Sequence, residues 1–172
     1  MYIFDKIDSV DHPLFATCWQ IYNDSFPLCE RRDESSQRRA MQSEDYHFEA
    51  ILRGDEVVGF VGYWIFGGET LFLEHIAISS SCRGGGVGGV VMERLQGFGL
   101  LIVGEIEPMV DEITRRRCDF YLRHGFVVNG HAHRQPPFRE GEEWLPLVVI
   151  SHPRMATEEE YERFRRSQIE IV

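Results

Sequence analysis

The hydrophobic residues of this chain follow helical spacing near the start and strand spacing further on. Leu14, Cys18 and Ile21 recur at helical intervals, which predicts a helix over residues 13–23, and a polar segment over residues 33–42 predicts a second. From residue 47 the pattern changes to short apolar runs separated by glycine-containing turns. These runs predict an antiparallel meander of three strands, His47–Leu52, Val57–Phe66 and Leu71–Ile78.

Helical and strand patterns then alternate along the rest of the chain. The predicted elements are a helix from Val87, a strand Leu100–Glu107, a helix Asp111–His124, strands Phe126–His133 and Trp144–Ile150, and a charged helix Thr157–Arg166. The third meander strand, the helix from Val87 and the next strand form a right-handed crossover, which gives one parallel pair. The order predicts an α+β fold in a single domain over residues 1–172, with residues 151–172 as a C-terminal helical extension.

Composition and charge narrow the class of protein. With 172 residues, of which 43% are hydrophobic, the chain can build one sizeable core. Its net charge of −10 argues against nucleic acid or an anionic membrane as the main partner, because both need a basic face. The four cysteines form no Cys-x-x-Cys pair, and neither a signal peptide nor a membrane-spanning segment is evident. We therefore expect free thiols, no metal site and a cytoplasmic protein.

A glycine-rich segment, Arg83–Gly89, lies between a predicted strand and a predicted helix. The first amides of a helix have no intrahelical acceptor and lie at the positive end of the helix dipole, so they bind anions. Glycines let the backbone approach such an anion closely, although each weakens a helix by about 1 kcal/mol relative to alanine. The segment therefore predicts a phosphate-binding loop, the alternative being a glycine-rich surface turn.

Two common phosphate-binding patterns fit this loop poorly. A P-loop is excluded because no lysine closes the glycine run. The dinucleotide spacing fits literally as Gly84-x-Gly86-x-x-Gly89, and Glu105 and Glu107 lie on the following strand, where a ribose-binding acid is expected. In that motif, however, the first glycine follows the strand almost directly, whereas five residues intervene here. A dinucleotide site stays a weaker alternative.

A third pattern fits together with its surroundings. Arg83-x-x-Gly86-x-Gly88, preceded by the strand Leu73–Ile78, resembles motif A of the GCN5-related N-acetyltransferase (GNAT) family. Downstream, the segment Asp119–Phe126 resembles motif B of that family, a helix with a Phe-Tyr pair that ends at Gly-Phe. The two motifs and their connection cover about a third of the chain.

This resemblance implies a fold and a co-substrate. The GNAT fold has a mixed, mostly antiparallel sheet that splays at its central parallel pair and is flanked by helices, and acetyl-CoA lies in the resulting cleft. By resemblance, the pantetheine would bond to the main chain of Ile76, Ala77 and Ile78. The pyrophosphate would bond to the loop of Arg83, Gly84, Gly85, Gly86, Val87, Gly88 and Gly89.

Acetyl transfer to an amine by direct attack in a ternary complex needs an acid and a base. Tyr121 matches the motif B tyrosine, and a phenol with a pKa near 10 stays protonated at neutral pH and can donate to the departing thiolate. The alternative is a core aromatic residue on an amphipathic helix.

The base is less well defined. Glu105 matches in position a glutamate that serves as base in some peptide N-terminal acetyltransferases of the family, and Glu107 shares its face of the strand. Glu74 is the second candidate, and its neighbour His75 is expected to face the other way. Glu107 and His75 are further candidates for the base, and a water chain without a dedicated base is the remaining alternative.

The acceptor site is only outlined by the sequence. Glu30, in the connection between the first two helices, is a candidate for substrate binding together with Tyr63 and Glu107. The loop Gln135–Glu142 is expected to close over the same cleft, with its two prolines limiting its flexibility. We expect a small-molecule or peptide amine as acceptor and a monomer or homodimer. A non-catalytic acyl-CoA sensor on the same fold is the alternative.

Overall fold

The computed structural model describes residues 1–172. The strands are β1 (Tyr2–Lys6), β2 (Tyr46–Arg53), β3 (Glu56–Phe66), β4 (Thr70–Ile78), β5 (Leu101–Ile106), β6 (Val127–Val128), β7 (His133–Gln135) and β8 (Leu145–His152). The helices are α1 (Phe15–Ser25), α2 (Glu34–Ala40), α3 (Val87–Gln96), α4 (Glu112–Arg123) and α5 (Glu158–Glu170), with short 3-10 helices at Leu28–Glu30 and Ser80–Cys82. No helix has the length and apolar character needed to cross a membrane.

The strands form one sheet in the order β1-β2-β3-β4-β5-β8-β6, with β7 also paired to β8. Every pair is antiparallel except β4 and β5, so the predicted meander and single parallel step are confirmed. The edge strand β1 was not predicted from the sequence. β1 is five residues long and pairs with β2, with Tyr2 opposite Arg53. Its formation as a strand therefore depends on a partner that is far away in the sequence.

The parallel pair comes apart partway along its length. β4 and β5 pair only from Thr70 opposite Leu101 to Leu73 opposite Gly104. Beyond that point β4 stays bonded to β3 as far as Ile78, while β5 stays bonded to β8. The edge of β4 that faces β5 is therefore free of strand partners over its second half, and a cavity lies between the two strands.

The sheet carries a hydrophobic core on each face. On one face, Val91 and Leu95 of α3 pack with Cys118 of α4. On the other face, Tyr22 of α1 packs with Phe164 of α5. Tyr161, Phe164 and Gln168 of α5 are buried, so the helix that follows β8 is part of the hydrophobic core.

Candidate active site

A cavity of about 900 Å³ follows the gap between β4 and β5. Its walls are β4 from Leu73 to Ile78, the glycine loop, β5 from Gly104 to Ile106 with Glu107 just after it, and the face of α4 that carries Tyr121. Phe26 and Glu30 also line it. The cavity thus brings the predicted phosphate loop and most of the predicted catalytic residues into one space.

The glycine loop leaves a row of backbone donors free at the start of α3. None of the amides from Arg83 to Gly89 donates to an acceptor in the protein, and the first intrahelical bond runs from Val90 N–H to the carbonyl of Gly86 at 3.3 Å. Gly84 and Gly86 have φ angles of +81° and +79°, which a residue with a side chain rarely adopts. Free amides at a helix N-terminus form an anion site, so this geometry fits a pyrophosphate.

Gly88 and Gly89 are needed for a different reason. A Cβ atom added at Gly88 would lie 3.0 Å from the ring of Phe120, and one at Gly89 would lie 3.1 Å from the ring of His124. The two glycines therefore allow α3 to pack closely on α4.

Helix α4 brings Tyr121 into the cavity. The helix begins with a reciprocal capping box between Asp111 and Thr114, which fixes its first turn. Tyr121 is 8% exposed and packs against Phe126, with the two ring centroids 5.4 Å apart. Its hydroxyl nevertheless has no hydrogen-bond partner in the protein. Burial raises the pKa of Tyr121 to about 12, despite the opposing charge of Arg117. The phenol is therefore a protonated donor whose proton is not otherwise used.

A β-bulge in β4 changes the expected direction of its side chains. Gly62 of β3 lies opposite His75 and Tyr63 lies opposite Leu73, which leaves Glu74 without a facing residue. Glu74 and His75 were expected on opposite faces. The bulge instead turns both toward the α1 face, where His75 packs against Tyr22 and their ring centroids are 4.9 Å apart.

Glu74 is held in a buried ion pair. Its side chain has no exposed surface, so only its backbone reaches the cavity. The carboxylate pairs with Arg32 and accepts a hydrogen bond from Trp64 Nε1 at 3.2 Å, while His75 Nδ1 lies 3.3 Å away. Burial would raise the pKa of Glu74, but the charge of Arg32 and the contact with His75 outweigh it and hold the pKa below its ordinary value.

Glu105 also lies in a network of internal partners. Its side chain is 4% exposed and accepts hydrogen bonds from Gln168 Nε2 at 2.7 Å, from Gln135 Nε2 at 3.0 Å and from His133 Nε2. The other ring nitrogen of His133 lies 3.0 Å from the hydroxyl of Tyr161. These partners come from β7 and α5, and no local pattern in the sequence pointed to them.

The remaining predicted residues divide between the cavity and the core. Glu107 lines the cavity and pairs with Arg117. Glu30 lines it too. Its carboxylate has no hydrogen-bond or ion-pair partner, and burial raises its pKa, although the charge of Arg117 opposes the shift. Tyr63 does not line the cavity: it is 1% exposed, lies on the α3 face, and its hydroxyl donates to Glu49 at 3.3 Å.

An open α+β sheet that splays at its single parallel pair, with a glycine loop on the crossover helix, defines the GNAT fold class. A family model described as the acetyltransferase (GNAT) family matches residues 15–126. A structure from Bacteroides thetaiotaomicron, assigned to the GNAT family of acetyltransferases, is 32% identical, with a TM-score of 0.87 over 96% of this chain and 94% of that one. This chain belongs to the GNAT family of acetyltransferases, and the predicted fold class is confirmed.

Two further structures share the fold at low sequence identity. A GNAT acetyltransferase from Elizabethkingia anophelis with acetyl-CoA bound is 10% identical, with a TM-score of 0.60 over 87% of this chain and 96% of that one. Naa50 from Arabidopsis thaliana, in complex with the bisubstrate analogue CoA-Ac-MVNAL, is 14% identical, with a TM-score of 0.64 over 87% and 97%. No curated protein matches the chain at a significant level.

Proposed function

We propose that this protein transfers the acetyl group of acetyl-CoA to a primary amine of a small molecule or peptide, by direct attack in a ternary complex. One observation carries the proposal. The free amides of the glycine loop and the unpartnered hydroxyl of Tyr121 line the same cavity between the splayed strands. A CoA-dependent acetyl transfer needs a site for the pyrophosphate and a proton donor for the departing thiolate, and this cavity contains a candidate for each.

The residues present fit acetyl-CoA. The loop amides from Arg83 to Gly89 would hold the pyrophosphate, and the edge of β4 that faces β5, at Ile76, Ala77 and Ile78, would bond to the pantetheine. At this edge the carbonyl of Ile78 accepts a hydrogen bond from Arg83 Nε at 3.1 Å. When bound, acetyl-CoA supplies the acetyl thioester. Acetyl-CoA and a CoA-containing analogue are bound in the two distant structural neighbours, which supports the assignment.

Tyr121 is the proposed acid, because its raised pKa keeps the phenol protonated and nothing in the protein competes for its proton. Glu105 is the proposed acceptor of the proton that the amine loses, directly or through one water molecule, because its side chain keeps 4% of its surface exposed whereas that of Glu74 has none. Glu74 is assigned to structure, since its buried carboxylate is already paired with Arg32. Glu107 and Glu30 are proposed to contact the acceptor.

We also propose a cytoplasmic location, which the four free cysteine thiols support.

A thermal-shift titration with acetyl-CoA, CoA and NAD in parallel tests the cofactor. A ligand at 100 times its dissociation constant adds about 2.7 kcal/mol to the free energy of unfolding, so both CoA species should raise the melting temperature and NAD should not. Release of free CoA thiol with a panel of primary amines then tests transfer. A shift with NAD alone would contradict the proposal. CoA binding without transfer to any amine would favour the non-catalytic sensor.

A further inference from the structure

The cavity continues past the β4 bulge into a space lined by Phe26, Glu30, His75, Glu105 and Gln135, here called the acceptor compartment. Two connections flank this space: the one between α1 and α2, which contains Glu30, and the one between β7 and β8, which begins after Gln135. Whether the two connections touch decides how large an acceptor can enter.

The β7–β8 connection does reach the α1–α2 connection. Phe138 is 7% exposed, and the Arg32 guanidinium lies 4.8 Å from the centroid of its ring. Arg139 Nε donates a hydrogen bond to the carbonyl of Arg31 at 3.2 Å. Pro136 is buried as well. The two connections are therefore in direct contact over the acceptor side of the cleft.

This contact leaves little room for a polypeptide. An extended chain advances about 3.3 Å per residue and needs an open path away from the reacting amine. Such a path would have to separate Phe138 from Arg32 and Arg139 from Arg31. The whole cavity of about 900 Å³ is in the range that normally holds one small ligand, and acetyl-CoA would take up much of it.

Of the carboxylates around the compartment, one is left to bind a cation. Glu74 is neutralised by Arg32, Glu105 is occupied by three internal donors, and Glu107 is paired with Arg117. Glu30 alone among these carboxylates has no partner in the protein. It is half-buried, and burial raises its pKa, so a positive group of a bound molecule would replace the solvation that this carboxylate has lost.

We infer that the acceptor is a small amine with a second cationic group, and that the terminus of a polypeptide is excluded. This inference rests on the proposed function and deepens it. Glu30 recognises the second charge, and the contacts of Phe138 and Arg139 limit the size of the acceptor. These residues determine specificity and are not required for binding of CoA itself.

Bisubstrate conjugates test the inference without requiring turnover. CoA joined through an acetyl linker to 1,4-diaminobutane is compared by calorimetry with free CoA and with CoA joined in the same way to a neutral pentapeptide. The diamine conjugate should bind about tenfold tighter than CoA, and the peptide conjugate no tighter than CoA. A peptide conjugate that binds as tightly as the diamine conjugate overturns the inference while leaving the proposed function intact. Failure of free CoA to bind overturns both.

Variants separate the effect of charge from that of size. Glu30→Gln should remove most of the advantage of the diamine conjugate and leave the affinity for CoA unchanged, whereas Glu140→Gln, at an exposed carboxylate of the β7–β8 connection, should have no effect. Combined Phe138→Ala and Arg139→Ala should raise the affinity for the peptide conjugate about tenfold. An unchanged preference in both Glu30→Gln and the double variant would refute the assigned roles.

Discussion

The two halves of the cavity are built in different ways. The cofactor half consists of the glycine loop and the start of α3, a continuous segment whose backbone amides are free. The acceptor compartment instead collects side chains from the α1–α2 connection, β4, β5 and β7, and Gln168 of α5 donates a hydrogen bond to one of them, Glu105. Most of its polar groups already have partners. The cofactor half needs only a turn and the start of a helix, which neighbouring residues can form. The acceptor compartment beside it depends on contacts between residues that are far apart in the sequence.

The cofactor half uses a general way of binding phosphate, whereas the contacts of the acceptor compartment are particular to this chain. Backbone donors recognise a phosphate whatever the side chains around them, so the cofactor half suits one shared co-substrate. The acceptor compartment depends on buried ion pairs and hydrogen bonds, whose loss leaves unpaired groups at high cost. Substitutions should therefore affect the two halves unequally.

The largest effect is expected from Arg32→Ala, which leaves the buried Glu74 carboxylate without its partner. Removing one member of a buried pair should lower the free energy of unfolding by about 3–5 kcal/mol, measured by urea denaturation. Arg163→Ala breaks the exposed pair with Glu69 and should cost less than about 1 kcal/mol.

The double variant Arg32→Met with Glu74→Leu sharpens this test. It removes both charges and should recover most of the stability lost in Arg32→Ala. A loss below about 1 kcal/mol in Arg32→Ala would show that the ion pair does not stabilise the acceptor side.

Tyr121→Phe tests the proposed acid, at the point where the cofactor half and the acceptor compartment meet. Loss of the proton donor should lower kcat about a hundredfold with the best amine of the screen, while the affinity for CoA stays within about twofold. Because the pKa of Tyr121 is raised to about 12, the ratio of wild-type to variant rates should stay constant from about pH 7 to about pH 9. Tyr63→Phe, at a buried tyrosine outside the cavity, is the control. Equal rates for the Tyr121 variant and wild type would remove its assigned role.

Gly86→Ala tests the cofactor half. Gly86 has a φ of +79°, Gly54 in the β2–β3 turn has +63°, and an added Cβ would meet no atom within 4 Å at either position. Alanine should therefore cost both variants about 1–2 kcal/mol of stability. Only Gly86→Ala should also weaken CoA binding, by about tenfold in calorimetry. Equal CoA affinities for the two variants would contradict the loop assignment.

The smallest effect is expected at the start of α5, the helix that carries Gln168 to Glu105. Hydrogen bonds from Arg154 and from the backbone of Thr157 lower the pKa of Glu160 to about 2. Folding thus favours its ionised form, and this stabilisation is present above the ordinary pKa of about 4.5 and is lost as the pH falls toward about 2.

Accordingly, Glu160→Gln should cost about 0.5–1 kcal/mol at neutral pH, the low value reflecting its partial exposure to solvent. The difference in Tm from wild type should shrink as the pH falls below about 4.5. Glu159→Gln, at an exposed glutamate of the same turn, is the matched control. A pH-independent difference would show that the charge of Glu160 is not the cause.

The sequence predicted the fold more completely than the site. The meander, the crossover helix and α4 were located because their apolar periodicity is local. β1 was missed because a strand of five residues carries little periodicity of its own. The predicted strand Phe126–His133 is divided into β6 and β7 around Asn129, whose side chain bonds to Ser151 and to the amide of Ala156.

The sequence by itself determined the glycine loop, the placement of Tyr121 on its helix and the single parallel pair. Each of these follows from neighbouring residues and from the limited conformations of the backbone. Only the tertiary structure decided that Glu74 is buried against Arg32, 42 positions away, and that Glu105 is held by Gln168, 63 positions away. It also decided that a bulge turns His75 to the same face as Glu74. Local sequence cannot specify such partners, because the free energy of a buried charge depends on which groups the whole fold brings beside it.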